Sequence, residues 1–134
     1  MSYARQMLDA DPGTVSIDAA VLARAIEALG DCAQACTADT DDDLSEPDVT
    51  EMVTCIRLCL DCADICTATV GVVSRPRELD PAVLKPLLEA CAAICRSCAD
   101  ECQRHGKMHR HCQVCAEACR RGEQASRELL AAMR

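Results

Sequence analysis

The chain has 134 residues, thirteen of them Cys, with no Trp, no Phe, a single Tyr and a formal charge of −8. That length suits one domain with a sizeable core, and the acidity argues against nucleic acid or an anionic membrane as partner. A secreted disulfide scaffold is disfavoured, because an odd number of thiols cannot all pair and Met1 to Asp9 holds no apolar run of signal-peptide length.

No later segment approaches the roughly 18 apolar residues of a transmembrane helix. The expectation is therefore a cytosolic chain with reduced thiols, a setting in which clustered Cys signals metal or catalysis. In chain order, residues 3 to 10 are predicted to form a short helix. Ser16-Ile17-Asp18 reads as an N-cap for a first long helix over about 17–40, which carries Cys32 and Cys36. Ser45-Glu46-Pro47-Asp48 is close to a capping box with Pro in the first turn. It opens a second helix over 47–73, with Cys55, Cys59, Cys62 and Cys66. Arg75-Pro76 ends that helix, and Asp80-Pro81 caps a third over 81–105, with Cys91, Cys95, Cys98 and Cys102. Gly106 is expected at C′. A fourth helix, over 108–133, carries Cys112, Cys115 and Cys119. Abundant Ala, Leu, Glu and Arg and few internal glycines favour helix throughout.

Each long helix contains one unit of the form Cys-Ala-acid or amide-any-Cys, at 32/36, 62/66, 98/102 and 115/119. In the second and third helices the unit extends to a 4-3-4 spacing. At 100° per residue this places 55, 59, 62 and 66, and likewise 91, 95, 98 and 102, within a stripe of about 60°. Such a seam faces other helices in a bundle. Four helices with short links pack up-down-up-down, so the expected fold is an all-α antiparallel four-helix bundle with inward cysteines. The cysteines sit at alternating helix ends, which coincide in that topology. One half of the core should therefore be thiol-lined with a mouth at its end. The other half should be apolar, built from Leu22, Val70, Val73, Leu84, Leu88, Leu129 and Met133.

A lone buried Cys is usually a small hydrophobe. Thirteen on inward stripes are not so explained, since Ala or Val would pack without the oxidation hazard. Intrahelical disulfides fit poorly, because Cβ atoms four residues apart lie about 5–6 Å from each other and a disulfide needs about 3.8 Å. Metal binding remains. Thiolates select Cu(I), Zn or iron–sulfur clusters. Zinc wants closed sets of four and iron–sulfur clusters sit on wrapping loops, whereas Cu(I) accepts two or three bridging thiolates along a ladder. Cu(I) ranks first, zinc second and iron–sulfur third.

The arrangement resembles the Csp copper storage proteins, particularly their cytosolic bacterial branch. The likeness runs from Ser16 onward, with four Cys-bearing helices in this order and His and Met at the cysteine end. It implies a four-helix bundle, commonly a homotetramer, that stores many Cu(I) ions, protects against excess copper and exchanges it with copper chaperones. The ligands it implies are all thirteen cysteines, with His111 as the histidine before Cys112.

Among other candidates, His111 precedes Cys115 by four and is read as a copper ligand. His105 follows Cys102 by three, as a ligand or as a cation at a helix C-terminus. His109 is expected in solvent at the turn. Met108 precedes Cys112 by four and Met52 precedes Cys55 by three. Both are expected to project toward the mouth, as core filler or as transient thioether ligands. Asp39, Asp41, Asp42 and Asp43 are read as a solvated acidic loop. Val49, Val53, Ile56 and Leu60 form a second apolar series, which either widens the core face or meets another subunit. No Glu-x-x-His, His-Glu-x-x-His, Cys-x-x-Cys-His or phosphate-loop motif is present, so no enzyme is expected. A zinc or general soft-metal buffer is the alternative to copper storage.

Overall fold

Local capping sets most of the helix starts. In the computed structural model, which describes residues 2–13 and 15–133, a short helix α1 (Ala4–Asp9) precedes α2 (Ala19–Leu44). The Asp18 carboxylate accepts from the Ala20 amide at 2.7 Å and starts α2. Asp80 does the same for Ala82 at 2.9 Å and starts α4 (Pro81–His105), with Pro81 in the first turn. Between them lies α3 (Val53–Val73), and α5 (Arg110–Ala132) ends the fold. No strand occurs among the described residues.

Three boundaries differ from expectation, each for a physical reason. The α2 helix continues to Leu44, past the expected end near Thr40. Acidic residues in a last turn oppose the helix dipole, but here Asp39 and Asp43 are buried against partners that hold the turn closed. The Ser45–Asp48 segment opens a 3-10 turn, Val49–Met52, rather than an α-helix, so α3 begins at Val53 and Pro47 lies ahead of it. Gly106 does cap α4, but in right-handed conformation at φ −64°, not as a left-handed C′. The chain then turns within four residues, 106–109, into α5.

Neighbouring helices run antiparallel, which the cross-helix thiol pairs make plain. From the N-terminal end of α3, Cys55, Cys59, Cys62 and Cys66 meet Cys102, Cys98, Cys95 and Cys91 of α4. Likewise Cys32 and Cys36 of α2 meet Cys119 and Cys115 of α5. A 4-3-4 spacing reads the same in both directions, so two such stripes stay in register when antiparallel. The helices form a closed ring in which α2 packs on α3, α3 on α4, α4 on α5 and α5 on α2.

The core has two halves. Leu22, Ala25, Val73, Leu84, Leu88 and Leu129 form the apolar half, with Leu8, Val15 and Ile17 folding over it and Met133 partly buried against it. Val70, expected there, instead packs against the thiol half, as does Ile56. In the second apolar series, Val53 and Leu60 are 43% and 48% exposed, so they face outward.

Candidate metal centre

All thirteen cysteines are free and at most 1% exposed, and they form one contiguous cluster. The α3–α4 rungs measure 3.5 Å (Cys55–Cys102), 3.6 Å (Cys59–Cys98), 3.9 Å (Cys62–Cys95) and 3.9 Å (Cys66–Cys91), Sγ to Sγ. Between neighbouring α2 and α3, Cys32 lies 3.6 Å from Cys62, and across the ring Cys36 of α2 lies 3.8 Å from Cys98 of α4. Several quartets bring all their donor atoms within 4.8 Å of one another, among them Cys32, Cys62, Cys66 and Cys95. A set of soft donors so close, with no bulk between them, suits thiophilic d10 ions.

Mutual hydrogen bonding makes the thiols titrate together. Bonds with Cys102, Cys115, Cys119 and Cys36 hold Cys98 far below an ordinary thiol, while its contacts with Cys115, Cys55 and Cys59 push Cys102 far up. At the deep end, near the Ser126 and Thr69 hydroxyls, bonds from Cys66 and Cys95 outweigh burial and hold Cys91 well below an ordinary thiol. Those two hydroxyls are fully buried and donate to their own helices, Thr69 to the Ile65 carbonyl at 2.7 Å and Ser126 to the Gly122 carbonyl at 2.9 Å. They floor the thiol half of the core, with apolar packing beyond them.

Gly122 brings the α5 backbone against the thiols. A Cβ there would meet Cys95 Sγ at 3.1 Å and Cys32 Cβ at 3.4 Å. A mid-helix glycine costs about 1 kcal/mol relative to Ala, and this close approach explains its presence.

The mouth is built from carboxylates and histidines. Cys55, Cys59 and Cys102 each donate to Asp39 Oδ2, at 3.6, 3.5 and 3.6 Å. Asp39 Oδ1 lies 2.5 Å from His111 Nδ1, and His111 Nε2 lies 3.2 Å from Glu46 Oε1. His109 stacks on His111 with ring centroids 5.4 Å apart and bonds Asp48 at 3.1 Å. Asp43 accepts from Cys112 at 3.5 Å, and its other oxygen, Oδ2, is buried without a partner. Burial lifts the Asp43 carboxyl to about 8, helped by the Cys55 and Asp39 charges. Burial also raises Asp39, against the hydrogen bond from His111. For His111, burial works against the charge, but bonds to Asp39 and Glu46 outweigh it and hold the ring above its ordinary value.

Four sequence expectations change. Asp39 and Asp43 belong to a buried turn of α2, not to a solvated loop, although Asp41 and Asp42 are exposed. His109 is held by Glu46 and Asp48 with a side chain only 10% exposed, rather than solvated. His105 is engaged by Glu101 at 2.8 Å within its own helix. Met108 is 79% exposed, because it precedes the first turn of α5 and helical angles do not apply to it. Met52 does lie fully buried within the thiol cluster.

Asp39 and Asp43 carried a legible signal. Positions 32, 36, 39 and 43 repeat the 4-3-4 spacing of the cysteine ladders, with carboxylates in the last two slots. Thr69 and Gly122 continue the ladders of their helices three residues past Cys66 and Cys119. Residue type drew attention away from a pattern that position alone discloses.

Comparison with known proteins places this geometry. A copper storage protein, Ccsp, from Streptomyces lividans, in a structure loaded with 10 copper equivalents, superposes with a TM-score of 0.94. It is 50% identical, over 96% of this chain and 98% of that one. A second structure concerns copper loading to a cytosolic copper storage protein from the same organism, with five coppers. It is 56% identical over 83% of this chain and 92% of that one, with a TM-score of 0.81. An uncharacterized cysteine-rich protein, YhjQ, of Bacillus subtilis (strain 168) is 39% identical over 93 residues, covering 69% of this chain and 81% of the relative. The copper storage protein (Csp) family profile matches residues 18–131, and the chain belongs to that family.

Proposed function

We propose that this protein stores Cu(I) in the cytosol, taking up many ions per chain through its thirteen cysteine thiolates and so limiting copper toxicity. The observation that carries the reading is the unbroken run of thiol contacts between 3.5 and 3.9 Å through half the bundle. A soft monovalent ion shares such sulfurs between neighbours, so the ladder fills progressively. The whole chain acts as one bundle domain, and storage requires no catalysis.

His111 and Asp39 supply the harder donors where the ladder meets the surface, and Met52 offers a thioether beneath them. Exposed Met108 and half-buried His105 serve capture outside the mouth. The outward Val53 and Leu60 support association into a homotetramer, and the histidine end is where a copper chaperone exchanges its ion.

Anaerobic titration of reduced protein with Cu(I), under a competing chelator, tests this. Thirteen thiols used in unshared pairs hold six ions; bridging should carry saturation well above six per chain. Saturation at one or two equivalents would exclude storage.

A further inference from the structure

The thiol packing has a second property, which concerns divalent ions. Three of the close donor sets share no residue: Cys32, Cys62, Cys66 and Cys95; Cys36, Cys98, Cys115 and Cys119; and Asp39 with Cys55, Cys59 and Cys102. Zn–S bonds of about 2.3 Å arranged tetrahedrally need S···S edges of about 3.8 Å, and a Zn–O bond of about 2.0–2.2 Å needs O···S edges of about 3.5–3.7 Å.

The protein already has these edges. In the deepest set, five edges run from 3.6 to 3.9 Å. In the middle set, Cys36 lies 3.8, 3.7 and 3.6 Å from Cys98, Cys115 and Cys119. At the mouth, Asp39 Oδ2 lies 3.5 to 3.6 Å from its three sulfurs, two edges of which measure 3.5 and 3.7 Å.

We propose that the core also binds Zn2+ as three discrete four-coordinate sites, two of four thiolates and one of three thiolates with the Asp39 carboxylate. The first two follow M2+ + 4 RSH → [M(SR)4]2− + 4 H+. The third follows M2+ + 3 RSH + RCOO− → [M(SR)3(OOCR)]2− + 3 H+. Every divalent ion leaves two net negative charges in a desolvated core, and the first two sets touch through Cys32 and Cys119 at 3.6 Å. Cu(I) shared between sulfurs leaves less charge per thiolate, so it displaces the divalent ions. The protein is thus a zinc reservoir when copper is scarce, and copper loading expels the zinc.

Co2+ replaces Zn2+ in such sites and reports geometry, so the test is an anaerobic Co2+ titration of the reduced full chain, followed by Zn2+. The expected result is the intense visible absorption of tetrahedral cobalt thiolate, saturating at three equivalents and bleached by Zn2+. Cys66→Ala should lower saturation to two, with unchanged helical circular dichroism. Weak octahedral bands, no binding, or growth without a break past three equivalents would overturn the proposal. A parallel Cu(I) titration separates the readings. Copper filling without tetrahedral cobalt removes only the zinc sites, whereas failure of both metals removes copper storage as well.

Discussion

Asp43 is fully buried and has one carboxylate oxygen without a partner. A charge so placed is costly, and the group answers by keeping its proton. Its folded value of about 8 stands far above the ordinary 3.8. The stabilisation from this raised group is complete below the unfolded value and is lost as pH rises through the folded one. His111 is also raised, so it contributes with the same sign. The metal-free protein should therefore melt at falling temperature as pH goes from about 5 to about 8. Asp43→Asn should flatten that slope. Thermal unfolding followed by circular dichroism checks both, and a melting temperature that climbs over this range would contradict the assignment.

At the scale of elements, the bundle and its ladders were legible because burial leaves a periodic trace. Cysteines spaced 4-3-4 can share one face only in a helix, and Asp18 and Asp80 marked two helix starts by chemistry. Legibility failed at helix ends. His105 and Met108 were placed by helical angles, yet one bonds Glu101 within its own helix and the other precedes the next. Glu46 and Asp48 reach the histidines through a turn that no periodicity encodes. The same division separates stability from storage. Leu84 is 1% exposed in the apolar half, remote from the thiols. Leu84→Ala should destabilise the metal-free fold by about 2–5 kcal/mol, read by denaturant unfolding, while copper capacity stays at the wild-type value. A matching loss of capacity would show that the two halves are not independent.

For the whole molecule, polarity differs between the two ends. One end is closed by Leu, Val and the N-terminal segment, and an ion crossing it would travel desolvated. The other presents His111, Glu46, His109 and Asp48, all partly exposed. His111→Ala, and separately Met52→Ala, should change the rates of Cu(I) uptake and chelator-driven removal several-fold and leave capacity nearly intact. Stopped-flow measurements beside saturation titrations distinguish these effects, and identical rates in both variants would remove the single-mouth model.

The apolar closure of that far end also governs traffic of another kind. Each thiol that becomes a metal-bound thiolate gives up a proton, and that proton is generated deep in a packed thiol core whose rear wall is hydrocarbon. It has no back door. On the single-mouth model, inward copper and outward acid share one passage, past the same paired carboxylates and imidazoles, so filling is a counterflow in which each cargo makes room for the other. Emptying reverses it. A thiol regains its proton only from the side where the ion departs, and the acidity of the surrounding water, felt at one end of the bundle, sets how readily the store gives up its contents.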